Sequence, residues 1–158
     1  MLPETEVYLY AASRAEHVRR VIGPALSENH VVVCDRFFDA SIAYQGYGIG
    51  EQGGLNPAFV KAVNAPAIGD LVPDLTFVLD VPIDLALRRL HARTTTQVDR
   101  IEKRGPEFFA RVRNGLLKIY EQNKQRIVWL DGSLSVHELA DQIFVLVQKT
   151  LERAGNSP

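Results

Sequence analysis

The sequence predicts an α/β fold built on a parallel sheet, and three observations carry this prediction. Segments with helical periodicity alternate with short apolar runs along the chain, which is the order typical of parallel strands joined by helical crossovers. The apolar runs are rich in β-branched residues, as buried parallel strands are. Proline, serine and glycine mark the boundaries between the two kinds of segment. The length of 158 residues fits a single domain that spans residues 1–158.

Boundary signals justify the predicted helices in turn. The first helix is expected to run to about Ile22, and Pro24 suits the first turn of a short continuation. Pro57 and Pro106 begin two later helices, because the first turn of a helix loses no backbone hydrogen bond to proline. Ser135 is a good N-terminal cap for the last helix. The predicted helices cover residues 4–22, 39–45, 57–68, 83–93, 106–124 and 135–153.

Three short apolar runs are predicted as strands, at residues 31–34, 75–81 and 127–130. The first of them, Val31-Val32-Val33-Cys34, has the composition of a buried strand. Cys34 is the only cysteine in the sequence, so it is expected to be a small buried side chain in a reducing compartment. Three strands are few for a parallel sheet, and the sheet is therefore expected to be incomplete.

The first predicted strand ends in two adjacent charged residues, Asp35 and Arg36. In open α/β sheets, ligands bind at the carboxyl ends of the strands. An aspartate at such a place can ligate a metal ion or water, and an arginine beside it can clamp a phosphate group. The pair indicates phosphoryl chemistry, and the alternative is a surface ion pair or a helix cap.

Tyr10 and Arg14 lie one turn apart on the first predicted helix, so they share a face. An aromatic ring beside a guanidinium group can stack on a nucleobase and donate hydrogen bonds to its carbonyl edge. The alternative is a tyrosine in the core next to a solvated arginine.

Basic residues cluster in and after the helix predicted at residues 83–93. Such a segment can close over a polyphosphate, where it supplies positive charge and excludes water. The alternative is a solvated basic face of a helix. The cluster consists of Arg88, Arg89, Arg93, Arg100, Lys103 and Arg104.

Other features of the sequence exclude several classes of function. Residues 48–53 match G-x-G-x-x-G, but they follow a predicted helix instead of a strand, so a plain loop is expected there. The chain contains no G-x-x-x-x-G-K-[ST] motif, and its four histidines have no metal-ligand spacing. A net charge of −1 argues against nucleic-acid and membrane-surface binding. No apolar stretch is long enough for a membrane span and no export signal is present, so the cytoplasm is expected.

Taken together, these motifs resemble those of the thymidylate kinase family. The resemblance covers nearly the whole chain in the family's order, and it implies a P-loop NTPase fold of the nucleoside-monophosphate-kinase type. The matching segments are Asp35-Arg36-Phe37 and Ala43-Tyr44-Gln45-Gly46 for the signature, residues 6–15 for the thymine-contacting helix, residues 72–81 for the approach to the fourth strand, residues 99–102 for the end of the lid and residues 129–132 for the last strand.

The resemblance implies roles for five residues around the nucleoside. Tyr10 takes the place of the aromatic residue that stacks on thymine, and Arg14 that of the arginine that binds the thymine carbonyl. Ser41 aligns with the polar residue at the base edge. Tyr44 aligns with the tyrosine beneath the sugar, which disfavours a 2′-hydroxyl, and Gln45 is its neighbour in the same wall.

Four further residues are implied at the phosphates. Arg36 corresponds to the clamp on the phosphate of the nucleoside monophosphate, and Asp35 to the carboxylate near Mg²⁺. Arg93 and Arg100 fall in or beside a lid of about residues 94–104, where the family places its catalytic arginine. Which of the two acts stays open, because the middle of this lid is uncharged.

The implied activity is the ATP-dependent, Mg²⁺-assisted phosphorylation of dTMP to dTDP by a protein that is commonly a homodimer. This chain is expected to supply the dTMP pocket and the lid, while the P-loop and the first two strands are expected outside it, in a missing segment or a separate chain. The chain alone is therefore expected to be inactive and poorly stable. Two alternatives remain: a non-catalytic dTMP-binding or subunit-pairing piece of a split or degenerate kinase, or a fragment with no function of its own.

Overall fold

The computed structural model describes residues 1–50, 53, 55–92 and 101–155. The chain divides into two units, residues 1–72 with 107–119 (unit 1) and residues 73–106 with 120–158 (unit 2). The described helices are α1 (Pro3–His17), α2 (Gly23–Ser27), α3 (Phe38–Ser41), α4 (Pro57–Ile68), α5 (Ile83–His91), α6 (Gly105–Gln122) and α7 (Val136–Gly155), and the described strands are β1 (Thr76–Asp80) and β2 (Ile127–Asp131).

Unit 1 begins with a long helical stretch. α1 carries a proline and two glutamates in its first turn, and both suit a helix N-terminus because of the exposed N–H groups there. A wide π-helical turn, Val18–Ile22, follows α1 and continues into α2, where Pro24 occupies the first turn. The predicted helix at residues 4–22 and its short continuation are confirmed.

The helix predicted at residues 39–45 is confirmed, but its predicted end is wrong. α3 passes into a second π-helical segment, Ile42–Ile49, so the loop expected at residues 48–53 is wrong for residues 48 and 49. Residues 51 and 52 of that loop lie outside the described residues. Gly50 has a φ of 55°, which is the left-handed region that glycine adopts without steric cost. Gly48 lies inside the helical segment, where a Cβ atom would come within 2.6 Å of the Phe108 ring and of Val112. Glycine at position 48 therefore lets α6 pack closely against this segment.

α4 has the boundaries that its sequence predicts. The side chain of Asn56 accepts a hydrogen bond from the backbone N–H of Phe59 at 2.8 Å, and Pro57 fills the first turn. Gly69, with a φ of 58°, ends the helix in a left-handed conformation. The side chains that α4 buries are those of Val60, Asn64 and Ala67.

The strand predicted at residues 31–34 is wrong. Val33 is 93% exposed, and Cys34, which was expected to be buried, is exposed as well. Among the described residues, no backbone–backbone hydrogen bond joins this run to another segment. A strand needs a neighbour that satisfies its N–H and C=O groups, so a β-branched composition is not sufficient without one.

Unit 2 contains a two-stranded parallel sheet, which confirms the other two predicted strands. β1 pairs with β2 in a register that runs from Thr76 opposite Ile127 to Asp80 opposite Asp131. The pairing continues at one end, where the N–H of Gly132 donates to the carbonyl of Asp80 at 2.8 Å. A Cβ atom on Gly132 would come within 2.6 Å of Val81, so the close approach requires glycine.

Helices α5 and α7 flank these strands in sequence, and their predicted starts are confirmed. α7 begins with a capping box, in which Glu138 Oε2 accepts from the N–H of Ser135 at 2.9 Å while Ser135 Oγ accepts from the N–H of Glu138 at 3.3 Å. α6 follows a 3₁₀ turn, Glu102–Arg104, and carries Pro106 in its first turn. None of the described helices is long and apolar enough to cross a membrane.

Candidate functional site

Arg14 is the centre of a polar cluster within unit 1. Its Nη1 donates a hydrogen bond to Oδ1 of Asn64. Its Nη2 donates to Oγ of Ser41 at 2.9 Å and to the carbonyl of Phe37 at 3.3 Å. The Phe37 ring also lies 5.5 Å from the guanidinium carbon. The acceptors come from α4, from the residue before α3 and from the last residue of α3, so tertiary contacts fix the direction of a side chain that α1 carries.

The guanidinium group of Arg14 is half-buried, and its surroundings lower its pKa. Burial lowers the pKa of Arg14, whereas the charges of Cys34 and Asp39 raise it. Arginine stays charged in proteins because its ordinary pKa lies above 12. The cluster therefore holds a positive charge partly out of water, where its hydrogen bonds are stronger than in bulk solvent.

Tyr10 lies one turn before Arg14 on α1, and its side chain is 41% exposed. The alternative interpretation, a core tyrosine beside a solvated arginine, is the reverse of this arrangement, because here the tyrosine is exposed and the arginine is partly buried. An exposed ring beside an anchored guanidinium group is the arrangement that stacking on a base requires.

Arg36 and Tyr44 form a second contact in the same unit. The guanidinium carbon of Arg36 lies 4.9 Å from the centre of the Tyr44 ring, which is a cation–π distance. Arg36 has a φ of 69°, a left-handed conformation that is uncommon for residues other than glycine. Such conformations cluster at functional sites, where surrounding structure maintains them. The Tyr44 ring packs against the Phe108 ring of α6 in a T-shaped arrangement, with a centroid distance of 6.1 Å.

Asp35 is exposed, and its carboxylate has no hydrogen-bond or ion-pair partner among the described residues. Across that part of the chain, no group of three or more histidine, cysteine, aspartate or glutamate side chains can hold a metal ion. Mg²⁺ is commonly bound through one or two carboxylates together with substrate phosphates. Asp35 therefore fits a Mg²⁺ ion that arrives with a phosphate group.

Gln45 lies in a buried contact with α1. Its Nε2 donates to Oε1 of Glu6 at 2.8 Å, and the two residues are 3% and 2% exposed. The amide oxygen of Gln45 is buried without a hydrogen-bond partner among the described residues. Gln45 thus follows Tyr44 directly in the sequence, but its side chain forms a hydrogen bond with α1.

The basic cluster separates into two kinds of residue. Arg88 pairs with Asp84 at 3.1 Å one turn earlier on α5, and Arg89 donates to the carbonyl of Gly132 at 2.8 Å. These two arginines therefore have structural partners in unit 2. Arg93 and Arg100, with most of the predicted lid at residues 94–104, lie outside the described residues.

Asn64 and Glu6 were missed as site residues by the sequence analysis. Asn64 shares the buried face of α4 with Val60 and Ala67, at helical spacing. The sequence therefore contains one signal for Asn64: a polar residue in the middle of an apolar helix face indicates a buried hydrogen bond. The partner of such a residue is set by tertiary contacts, so only the structure identifies it as Arg14.

Comparisons with known proteins connect this chain to one family. The family model of thymidylate kinase matches residues 1–143. A thymidylate kinase of Kosmotoga olearia is 42% identical over 154 residues, which cover 96% of this chain and 71% of the relative. A thymidylate kinase of Geotalea uraniireducens is 44% identical over 142 residues, which cover 87% of this chain and 65% of the relative. A thymidylate kinase of Symbiobacterium thermophilum is 43% identical over 158 residues, which cover 98% of this chain and 71% of the relative. The matched part spans from 65% to 71% of the length of these relatives.

Proposed function

The chain belongs to the thymidylate kinase family of nucleoside monophosphate kinases, and we propose that its unit 1 binds dTMP as a phosphoryl acceptor. The reaction is the transfer of the γ-phosphoryl group of ATP to dTMP, which gives dTDP and ADP. The observation that carries the proposal is the anchored guanidinium group of Arg14, with Tyr10 exposed one turn away on the same helix.

In this proposal, the base binds at Arg14. Hydrogen bonds to Asn64, Ser41 and Phe37 hold the guanidinium group, and they use three of the five N–H donors of an arginine. The remaining donors suit a carbonyl oxygen such as that of thymine. Tyr10 supplies a ring for stacking on the base, and Ser41 lies at the base edge.

The sugar and the phosphate of dTMP bind at the Arg36–Tyr44 contact. The Tyr44 ring is held from one side by Phe108, so it offers a fixed surface beneath the sugar. Arg36 is exposed above that ring and can form paired hydrogen bonds with the phosphate oxygens. Gln45 completes the wall next to Tyr44 through its buried contact with Glu6.

Catalysis in such a site depends on positioning and on charge neutralisation, because phosphoryl transfer needs little covalent chemistry from the protein. Asp35 is proposed to hold Mg²⁺ together with the nucleotide phosphates, and the ion supplies charge neutralisation at the transferring group. Arg93 or Arg100 is the further catalytic arginine that the family resemblance implies.

The first experiment measures dTMP affinity by isothermal titration calorimetry. Arg36→Ala is expected to raise the Kd for dTMP about tenfold or more, because it removes charge-assisted hydrogen bonds to the phosphate. Arg19→Ala is the matched control, since it removes an exposed positive charge from the same unit and is expected to leave the Kd unchanged. Equal affinities of the wild-type chain and Arg36→Ala would contradict the proposed phosphate clamp.

The 158-residue sequence contains no G-x-x-x-x-G-K-[ST] loop for the β- and γ-phosphates of ATP. This observation favours a second candidate function, a dTMP-binding piece that acts with a P-loop-bearing segment or chain. The chain alone is expected to form no ADP in a dTMP-dependent coupled assay, and measurable turnover would exclude this candidate. With the P-loop region present, we propose a cytoplasmic homodimer, as the family resemblance implies.

A further inference from the structure

Asn64 is the most completely buried polar side chain in unit 1, at 1% exposure, and it lies on α4 with no part in the sequence motifs. Burying a neutral amide is unfavourable unless its donors and acceptor are used. Here Nδ2 donates to the carbonyl of Val60 at 2.8 Å, one turn earlier, and Oδ1 accepts from Arg14. A buried amide at this position thus has a specific partner on another helix.

The two hydrogen bonds of Asn64 fix which atom faces Arg14. Nδ2 is a donor and can only be satisfied by an acceptor, which the Val60 carbonyl supplies. Oδ1 is therefore the atom directed at the guanidinium group of Arg14, as the hydrogen bond to Nη1 requires. Reversing the amide would place two donors against each other at Arg14 and two acceptors against each other at Val60.

We propose that Asn64 is a positioning residue for base recognition, and that it acts by holding Arg14 in the orientation that meets the nucleobase. The proposal rests on the proposed function, since it presumes that Arg14 binds the base. Arginine has many rotamers, and ordering them at the moment of binding would weaken affinity. Asn64 holds Nη1 while Ser41 and Phe37 hold Nη2, so both ends of the guanidinium group are fixed in advance.

This arrangement also restricts what Arg14 can recognise. The remaining N–H groups of Arg14 can donate only to an oxygen or nitrogen lone pair of the ligand. A base with a carbonyl group at that edge satisfies them, whereas a base with an amino group there places donor against donor. Asn64 is therefore expected to contribute to the preference for keto bases through Arg14.

The test is a set of calorimetric titrations with dTMP. Asn64→Leu, which removes the acceptor at similar volume, is expected to raise the Kd about tenfold. Asn64→Asp keeps an oxygen acceptor for Arg14, although it loses the hydrogen bond to the Val60 carbonyl. Where circular dichroism shows that it folds, its Kd is expected to lie within about threefold of wild type. Asn56→Ala is the control on the same helix, because it removes the cap of α4 without touching Arg14. If Asn64→Leu does not fold, Asn64→Ser, whose shorter side chain withdraws the acceptor, takes its place with the same expected result.

A double-mutant cycle with Arg14→Met separates positioning from general stability. If Asn64 acts through Arg14, Asn64→Leu is expected to have no further effect on the Kd in the Arg14→Met background. If Asn64→Leu changes the Kd equally in both backgrounds, the inference is overturned and Asn64 has a purely structural role. An unchanged Kd in the Asn64→Leu single variant would overturn the inference as well. A wild-type chain that does not bind dTMP, or an Arg14→Met variant with unchanged affinity, would instead show that the proposed function itself is wrong.

Discussion

At the scale of single residues, the two arginines of the candidate site differ in how much the fold constrains them. Arg14 is half-buried and is held by three acceptors on two other segments. Arg36 is exposed, and its described contact is with the Tyr44 ring. The proposed base-binding end is thus ordered without a ligand, whereas the proposed phosphate-binding end is expected to adjust when a phosphate binds.

Ser41→Ala tests how much one of these acceptors contributes. The hydroxyl accepts from Nη2 of Arg14 at 2.9 Å, and its loss leaves the Phe37 carbonyl as the acceptor for that nitrogen. The Kd for dTMP is expected to rise about threefold to tenfold, which matches the loss of one hydrogen bond to a charged group. Calorimetry on Ser41→Ala and on the exposed control Ser13→Ala measures the difference. A Kd that moves equally in both variants would speak against a role for Ser41.

Much of the site could be predicted from local sequence, and the rest depends on contacts between distant segments. Asp35 and Arg36 are adjacent, and Tyr10 and Arg14 are one turn apart, so their pairing is visible in the sequence. The contact of Arg14 with Asn64 joins residues that are 50 positions apart. No spacing rule connects such positions, because the packing of α1 on α4 sets their distance.

At the scale of secondary structure, helix boundaries were predictable where a cap or a proline marks them. Pro57 begins α4, and Ser135 caps α7, as the sequence predicts. The strand prediction at residues 31–34 is wrong for a different reason. A helix satisfies its own backbone groups, but a strand depends on a partner that its own residues do not encode.

The capping box of α7 makes a prediction about pH. Hydrogen bonds from Ser135 lower the pKa of Glu138 below its ordinary value of 4.5. A lowered pKa in the folded state means that this contribution to stability is complete above pH 4.5 and is lost as the pH falls through the folded-state value. Ser135→Ala is therefore expected to reduce the thermal stability of the chain at pH 7 and to have a smaller effect near pH 3. Circular dichroism melts at both pH values measure this, and a larger effect at the acidic pH would contradict it.

At the scale of the whole molecule, the exposed run at residues 31–34 is the main liability of the chain. Val31 and Val33 are exposed, and a β-branched run with unpaired backbone groups is a template for association with another chain. A chain that exposes this run is therefore expected to self-associate or to recruit another chain.

Val33→Lys is expected to reduce this association, because a charge on an exposed edge opposes pairing between chains. Val136→Lys is the control, since Val136 is also an exposed valine but lies at the start of a helix. Sedimentation velocity of both variants and of the wild type gives the fraction of monomer. A wild-type chain that is already monomeric and unfolds sharply and reversibly would contradict the expectation.

The central claim is that dTMP binds within unit 1, between the α1 residues around Arg14 and the segment from Arg36 to Gln45. Amide hydrogen exchange of the wild-type chain with and without saturating dTMP tests this claim most directly. Exchange is expected to slow in the second half of α1 and in residues 37–49, and to stay unchanged in α7. The account would be contradicted if saturating dTMP left the exchange rates of both unit 1 segments unchanged. Slower exchange in α7 instead of these segments would contradict it as well.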